Sequence, residues 1–182
     1  MHEVVNYRNT GGKWKGFGRS DHFAVRWVGA LTIRRTGHYR LSIVSDDGSK
    51  LWIDNKYTVN NDGLHGWRNR EAVKHLRAGA HAVRLEMFER GGHAGMLFRY
   101  RGPDTGNRWR LVRSSSGSSA WRENVFYFGQ GARCKNLKGR RPNMARRIRV
   151  RGQVVMDSRI DWKRFQDCTG EQADNLDILV FT

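Results

Sequence analysis

Between Asp21 and Tyr100, hydrophobic and polar residues alternate in short runs of period two, broken wherever glycine or an Asn/Asp pair intervenes. That period sends successive side chains to opposite faces of an extended chain, so each run predicts a half-buried β-strand. Phe23, Val25 and Trp27 share one face of the first run, and Tyr39, Leu41 and Ile43 share one face of the next, with Arg40 and Ser42 opposite. Leu51 and Ile53 then alternate with Lys50 and Asp54, and Asn55-Lys56 leads into Tyr57-Thr58-Val59. The stretch Tyr39 to Val59 therefore predicts three successive strands linked by hairpins. Val83, Leu85 and Met87 mark a further strand and Met96, Phe98 and Tyr100 the one after it, with the Gly-rich loop Glu89 to Gly95 between them. One helical turn is expected near Glu71 to Leu76, and no longer stretch carries apolar residues at helical spacing.

Composition sharpens this into a fold class. The 182 residues include 21 Gly, two Pro, seven Trp and eight Phe, a balance that favours many short strands joined by tight turns, and hence an all-β chain with enough apolar mass for a core. No run approaches the ~18 apolar residues a membrane-crossing helix needs, so membrane insertion is not expected. The opening Met1 to Arg8 shows no signal peptide. Cys134 and Cys168 stand without C-x-x-C spacing, which argues against a zinc site and leaves one disulfide open.

Charge changes the picture again. Lys and Arg total 34 against 17 Asp and Glu, a formal +17, so anionic partners have to be considered. The densest basic stretch is Lys138 to Arg151, where Arg140, Arg141, Arg146 and Arg147 are candidate anion ligands. Guanidinium groups bind sulfate or phosphate bidentately, which suits a sulfated or acidic polysaccharide. Nucleic acid is the lesser reading, because no nucleic-acid motif accompanies the run. Ile148 and Val150 alternating with Arg147, Arg149 and Arg151 also fit a solvated strand face.

Ser114 to Ala120 is poor in apolar residues and reads as a linker. Val4-Val5, Trp14-Lys15-Gly16-Phe17 and Asp21-His22-Phe23 recur in order as Val154-Val155, Trp162-Lys163-Arg164-Phe165 and Asp174-Asn175-Leu176. The expected organisation is one module over residues 1–113 lacking its opening strand, a linker over 114–120, and a partial second copy over 121–182. A unit of about 60 residues has a small core, so the second part is a candidate to fold back and complete the first.

The runs Phe23 to Ile33, Gly37-His38-Tyr39 and Ser45-Asp46-Asp47-Gly48-Ser49-Lys50-Leu51-Trp52-Ile53-Asp54 closely resemble the protective-antigen (PA-14) domain family. The likeness continues through Asn61 to Gly66, Leu76 to His81 and Phe88 to Gly95, and so covers residues 21–103; Val125 to Phe128 with Leu137 to Pro142 is similar to the family's opening strand and turn. The resemblance implies an antiparallel β-sandwich or barrel-like module, extracellular or at the cell surface, non-catalytic, and binding a glycan or glycoprotein. It also implies that Asp46 and Asp47, joined by a cis peptide, hold Ca²⁺ that coordinates sugar hydroxyls. The second loop of the sugar site would be Glu89, Arg90, Gly91, Gly92 and His93, which departs from the family in containing no Asn.

The residues admit plainer readings beside these. Adjacent carboxylates suit a hard cation that takes six to eight oxygens, but Asp-Asp-Gly is also ordinary hairpin-turn chemistry. Arg90 and His93 are able to hydrogen-bond hydroxyls, or the loop is simply a mobile connection. His65 and Trp67 would shape the sugar site, with the indole stacking on a pyranose, or Trp67 is partly buried packing. The seven His show no metal-ligand spacing, and no Ser or Cys has the signature of a nucleophile, so an enzyme is not expected.

Overall fold

A computed structural model describes residues 4–113 and 121–127 in full, and the backbone of three short strands at 137–138, 144–147 and 159–160. In chain order the strands are β1 (Asn6–Thr10), β2 (Phe23–Ile33), β3 (Gly37–Asp46), β4 (Ser49–Ile53), β5 (Lys56–Asn61), β6 (Arg68–Leu76), β7 (Gly79–Glu89), β8 (Ala94–Arg101), β9 (Arg110–Leu111), β10 (Arg122–Tyr127), β11 (Leu137–Lys138), β12 (Met144–Arg147) and β13 (Arg159–Ile160). A single 3-10 turn, Pro103–Thr105, is the helical element among the described residues. None of those residues forms a helix long and apolar enough to cross a membrane.

Two antiparallel sheets carry the fold. One runs β1-β8-β3-β6 with β9 on β8, and the other runs β12-β10-β2-β7-β4-β5; β11 pairs with β13 apart from both. The period-two faces read from the sequence pack toward each other: Phe23, Val25, Trp27, Leu51, Leu85 and Met87 from one sheet meet Tyr39, Leu41, Ile43, Met96 and Phe98 from the other, all buried. The expected all-β sandwich is what forms. Between the sheets at one end, Tyr7, Trp14, Phe17 and Phe23 make a ring cluster, with Tyr7 stacked on Trp14 at 4.1 Å and Phe17 and Phe23 edge-on to Trp14. Such offset and edge contacts are the favoured aromatic geometries.

Two local expectations fail. Glu71 to Leu76 is no helical turn but part of the edge strand β6, paired with β3 from Gly37↔Leu76 to Ser45↔Arg68. Its residues alternate in exposure, so the extended partner decides the conformation where local propensity is weak. Tyr39 to Val59 does form three strands, but only β4 and β5 make a hairpin. β3 pairs with β6 and β8, whereas β4 pairs with β5 and β7. The chain thus changes sheets at Asp46-Asp47-Gly48, because both strands carry side chains for the core between the sheets.

β10 lies antiparallel to β2 in direct register, from Arg122↔Val28 to Tyr127↔Phe23. It adds Val125 and Phe126 to the buried set, together with Trp121 immediately before it. Gly29 in the middle of β2 is the seat for Trp121: a Cβ there would stand 2.7 Å from the indole. Glu123, fully buried, accepts from the Tyr7 hydroxyl and from Trp27 Nε1 at 2.8 Å, so one carboxylate ties β10 to strands of both sheets. Buried polar groups must be paired in this way to be tolerated. Residues 114–120, Cys134 and Cys168 lie outside the described residues.

Truncating the chain after Arg113 is therefore expected to lower the melting temperature sharply, and Trp121→Ala to cost about 3–5 kcal/mol in urea unfolding, as for other buried large aromatics. An unchanged melt of the truncated chain would show that β10 adds nothing to the core.

Candidate functional site

The sheet change at the end of β3 brings two carboxylates into the protein. Ser45 and Asp46 pair with Met96 and Gly95 across β3 and β8, and Ser49 resumes on β4 opposite Met87. Asp46 and Asp47 lie between, 8% and 6% exposed, and the peptide joining them is cis. Gly48 has no room for a side chain, since a Cβ would meet Phe88 at 2.4 Å and the Gly63 backbone at 2.8 Å.

Two loops are fastened to Asp47. Its Oδ1 accepts from the His65 amide at 3.2 Å and its Oδ2 from the Arg90 amide at 3.0 Å. The first loop, 61–68, is held at both ends. Buried Asn61 donates to Ser45 Oγ at 2.8 Å and to the Arg68 carbonyl at 3.1 Å. In return Arg68 donates to Asn61 Oδ1 at 2.8 Å and to the Asp62 carbonyl at 2.7 Å. Lys50 forms a 2.7 Å ion pair with Asp62. The His65 ring nitrogens sit 2.8 Å from the Gly66 and Asn61 carbonyls. The second loop, 89–95, turns at Gly92, whose φ of 106° favours glycine, and the Gly92 amide donates to Asp21 at 3.2 Å.

Trp67 is 42% exposed and packs against Gly95. A Cβ at Gly95 would stand 2.5 Å from the Trp67 ring and 2.8 Å from the Asn9 backbone. Because Gly95 is the cross-strand partner of Asp46, the indole flanks the carboxylate pair. The structure thus gathers Asp46, Asp47, His65, Trp67, Glu89, Arg90, Gly91, Gly92 and His93 at one end of the sandwich. Arg146 and Arg147 lie on β12, opposite Glu123 and Arg122 of β10. Arg140 and Arg141 fall outside the described residues.

The electrostatics of this end are unusual. Burial raises the Asp46 carboxyl above its ordinary value, against a hydrogen bond from Asn9 and the nearby His65 and His93. Burial raises Asp47 as well, against the Arg90 and His65 amides. Glu89, only 1% exposed, has both carboxylate oxygens buried without a well-formed hydrogen bond, and burial together with the Asp47 and Asp46 charges pushes it to about 8 against the weaker pull of the nearby Gly91 amide. Three carboxyl groups withdrawn from water and acting on one another favour neutralisation by a proton or by a cation. Among the described residues no three His, Cys, Asp or Glu side chains converge in metal-holding geometry. Any cation would therefore draw on the Asp46-Asp47 pair plus carbonyl and other oxygens, a mixed set that fits Ca²⁺.

Reading the sequence missed Asn9 and Asp21, and reached Asn61 and Gly95 only as parts of motifs, with no individual role. Asn61-Asp62-Gly63 is a visible turn signal beside the motif, but Asn9 and Asp21 reach the site only through the pairing of β1 with β8 and the docking of the 89–95 loop.

A family model for the PA14 domain matches residues 16–108. The fold is similar to an anti-sigma factor domain-containing protein, with 19% identity and a TM-score of 0.55 over 64% of this chain and 42% of that one. It is similar to the PA14 domain of the MpAFP antifreeze protein, with 13% identity and a TM-score of 0.51 over 60% of this chain and 68% of that one. It is also similar to a PA14 sugar-binding domain from an RTX adhesin, with 18% identity and a TM-score of 0.51 over 63% and 76%. Of the anti-sigma factor domain-containing protein this chain spans about two fifths. A search of the curated proteins finds no match.

Two outcomes follow from the geometry. Glu89 binds its proton more tightly folded (about 8) than unfolded (4.5), so its contribution to stability is fully present below pH 4.5 and is lost as the pH rises to about 8. In metal-free buffer the melting temperature should fall across that window, and Glu89→Gln should flatten the profile. Gly95→Ala should displace Trp67 and cost about 1–3 kcal/mol by overpacking, read by indole fluorescence and urea unfolding.

Proposed function

The chain belongs to the PA14 domain family, and on that basis we propose that it is a non-catalytic carbohydrate-binding module of lectin or adhesin type, acting outside the cell or at its surface. The observation that carries this reading is the buried Asp46-Asp47 pair at the sheet change, with Glu89 orphaned beside it. A sugar hydroxyl and a carboxylate oxygen are both hard donors, so Ca²⁺ held by Asp46 and Asp47 would complete its shell with hydroxyls of the glycan. The adhesin domain is a sugar-binding relative of the same fold, which supports the ligand class.

The chain's own groups would then divide the work. Asp47 fixes both loops through the His65 and Arg90 amides, so the opening keeps one shape. Trp67, 42% exposed, offers indole surface for a pyranose C–H face to stack on, and Arg90 and His93 offer donors from the second loop. Glu89 lies too deep to touch a sugar, and with its carboxyl pushed up to about 8 it is mostly neutral at pH 7 unless a cation draws off its proton.

The test is a calorimetric melt with Ca²⁺ and with EDTA. A ligand that binds only the folded state at one hundred times its Kd adds about 2.7 kcal/mol, so Ca²⁺ should raise the melting temperature by several degrees. Asp46→Ala and Asp47→Ala should each abolish the shift and, on a glycan array, the sugar signal. No shift with Ca²⁺ in the wild-type chain would overturn the metal-assisted reading.

A further inference from the structure

The face of the β1-β8-β3-β6 sheet turned away from the core carries chemistry that the Asp46-Asp47 site does not use. The register places Val73, Arg40 and Arg101 in one row across β6, β3 and β8, and Glu71, Ser42 and Arg99 in the next. Leu111 of β9 lies beside Arg99, so Trp109, two residues earlier, falls on the same face beside Arg101. Both guanidinium groups lie against the Trp109 ring, Arg101 at 4.8 Å from its centroid and Arg99 at 5.2 Å.

These cations are held in place. Arg99 donates to Ser42 Oγ at 3.2 Å, Ser42 donates to Asn69 Oδ1 at 2.7 Å, and Asn69 donates to Glu71 Oε1 at 2.8 Å. Arg40 closes the line with a 3.3 Å contact to Glu71 Oε2. Arg99 Nε is out of solvent and has no hydrogen-bond partner. Val73 is 57% exposed and the Arg40 side chain 45%, so the face is open to a partner. In the two cross-strand rows Glu71 is the single carboxylate, against the guanidinium groups of Arg40, Arg99 and Arg101.

We propose that this sheet face is a docking surface for a sulfated or carboxylated polysaccharide, with Arg40, Arg99 and Arg101 as anion ligands and Trp109 as the platform that orders them. Charge complementarity selects the occupant: guanidinium forks pair bidentately with sulfate and carboxylate. Neighbouring strands lie about 4.8 Å apart and alternate residues of a strand about 6.6 Å apart, so the three cations meet a chain with closely repeated anionic groups. A single-stranded nucleic acid would want several aromatic faces for successive bases, and here the one indole is engaged by guanidinium groups. The surface is distinct from the carboxylate site, since Arg40 and Asp46 are six residues apart on β3, about 20 Å along the strand.

The experiment titrates the full chain with dextran sulfate, with uncharged dextran and with single-stranded DNA as comparison probes, at low and physiological salt. Dextran sulfate should bind in EDTA and in Asp46→Ala as in the wild type, which separates this surface from the proposed Ca²⁺ site. The variant Arg40→Gln/Arg99→Gln/Arg101→Gln should bind about tenfold or more weakly, and each lost anion contact should lower the slope of log affinity against log salt by about one. Arg40→Gln alone, at an exposed position, should weaken binding about threefold with an unchanged melt, which keeps the test decisive if the triple variant folds poorly. Arg146→Gln/Arg147→Gln should bind within twofold of the wild type. Wild-type affinity in Arg40→Gln and the triple variant, loss confined to the Arg146/Arg147 variant, or tighter binding of the DNA than of dextran sulfate would each overturn the proposal.

Discussion

Everything at the candidate site depends on the chain changing sheets within Asp46-Asp47-Gly48. β4 is buried throughout and β3 from Leu41 to Asp46, yet they belong to different sheets, so the link must be short and must pass beside the core. A short link leaves little polar surface in water, and its carboxylates are drawn in with it. Asp47 then finds backbone amides from two loops that also have to close over the end of the sandwich. The loops are ordered by the carboxylate, and the carboxylate is tolerated in the interior because the loops supply its donors. Glu89 has less compensation, with only the Gly91 amide opposing burial and the neighbouring Asp47 and Asp46 charges, and it is moved up to about 8.

The same logic of a large side chain over a glycine recurs in the middle of one sheet and at the edge of the site. Gly29 admits Trp121 into the core, and Gly95 admits Trp67 to the edge of the site. In each case the missing Cβ makes close approach possible, and in each case the indole comes from a segment far away in sequence. At Gly29 that segment is β10, so the sheet is completed by residues beyond the Ser-rich stretch. Glu123 reinforces the join, because a buried carboxylate shared by Tyr7 and Trp27 cannot be left by one strand without stranding the others.

How far this was legible in the sequence depends on the range of the interaction involved. The period-two runs gave the strands β2, β3, β7 and β8 and their inward faces, because alternation is a local consequence of backbone geometry. The Asp46-Asp47 pair and the 89–95 loop were visible as motifs. What stayed hidden is non-local: β6 looks helical until β3 is placed beside it, and the apparent hairpin after β3 is a sheet change because pairing partners are chosen by the whole fold. Asn9 and Asp21 carry no signal of their own. The basic run after Lys138 drew attention by density along the chain, whereas Arg40, Arg99 and Arg101 are scattered in sequence and meet only across strands.

A net charge of +17 would at first sight oppose any cation at this protein, yet distance decides the sign of the field that a bound ion feels. Asp46, Asp47 and Glu89 lie close enough to shift one another's ionisation, in a setting with little water to weaken the interaction. Among the described residues most Lys and Arg side chains are exposed, and at physiological ionic strength charges beyond about 8 Å are largely screened. The local carboxylates therefore dominate at the end of the sandwich, while the guanidinium groups govern the sheet face about 13 to 20 Å away along β3. A cation-binding end and an anion-binding sheet face would be compatible on one small fold, because screening is short and the sheet keeps them apart.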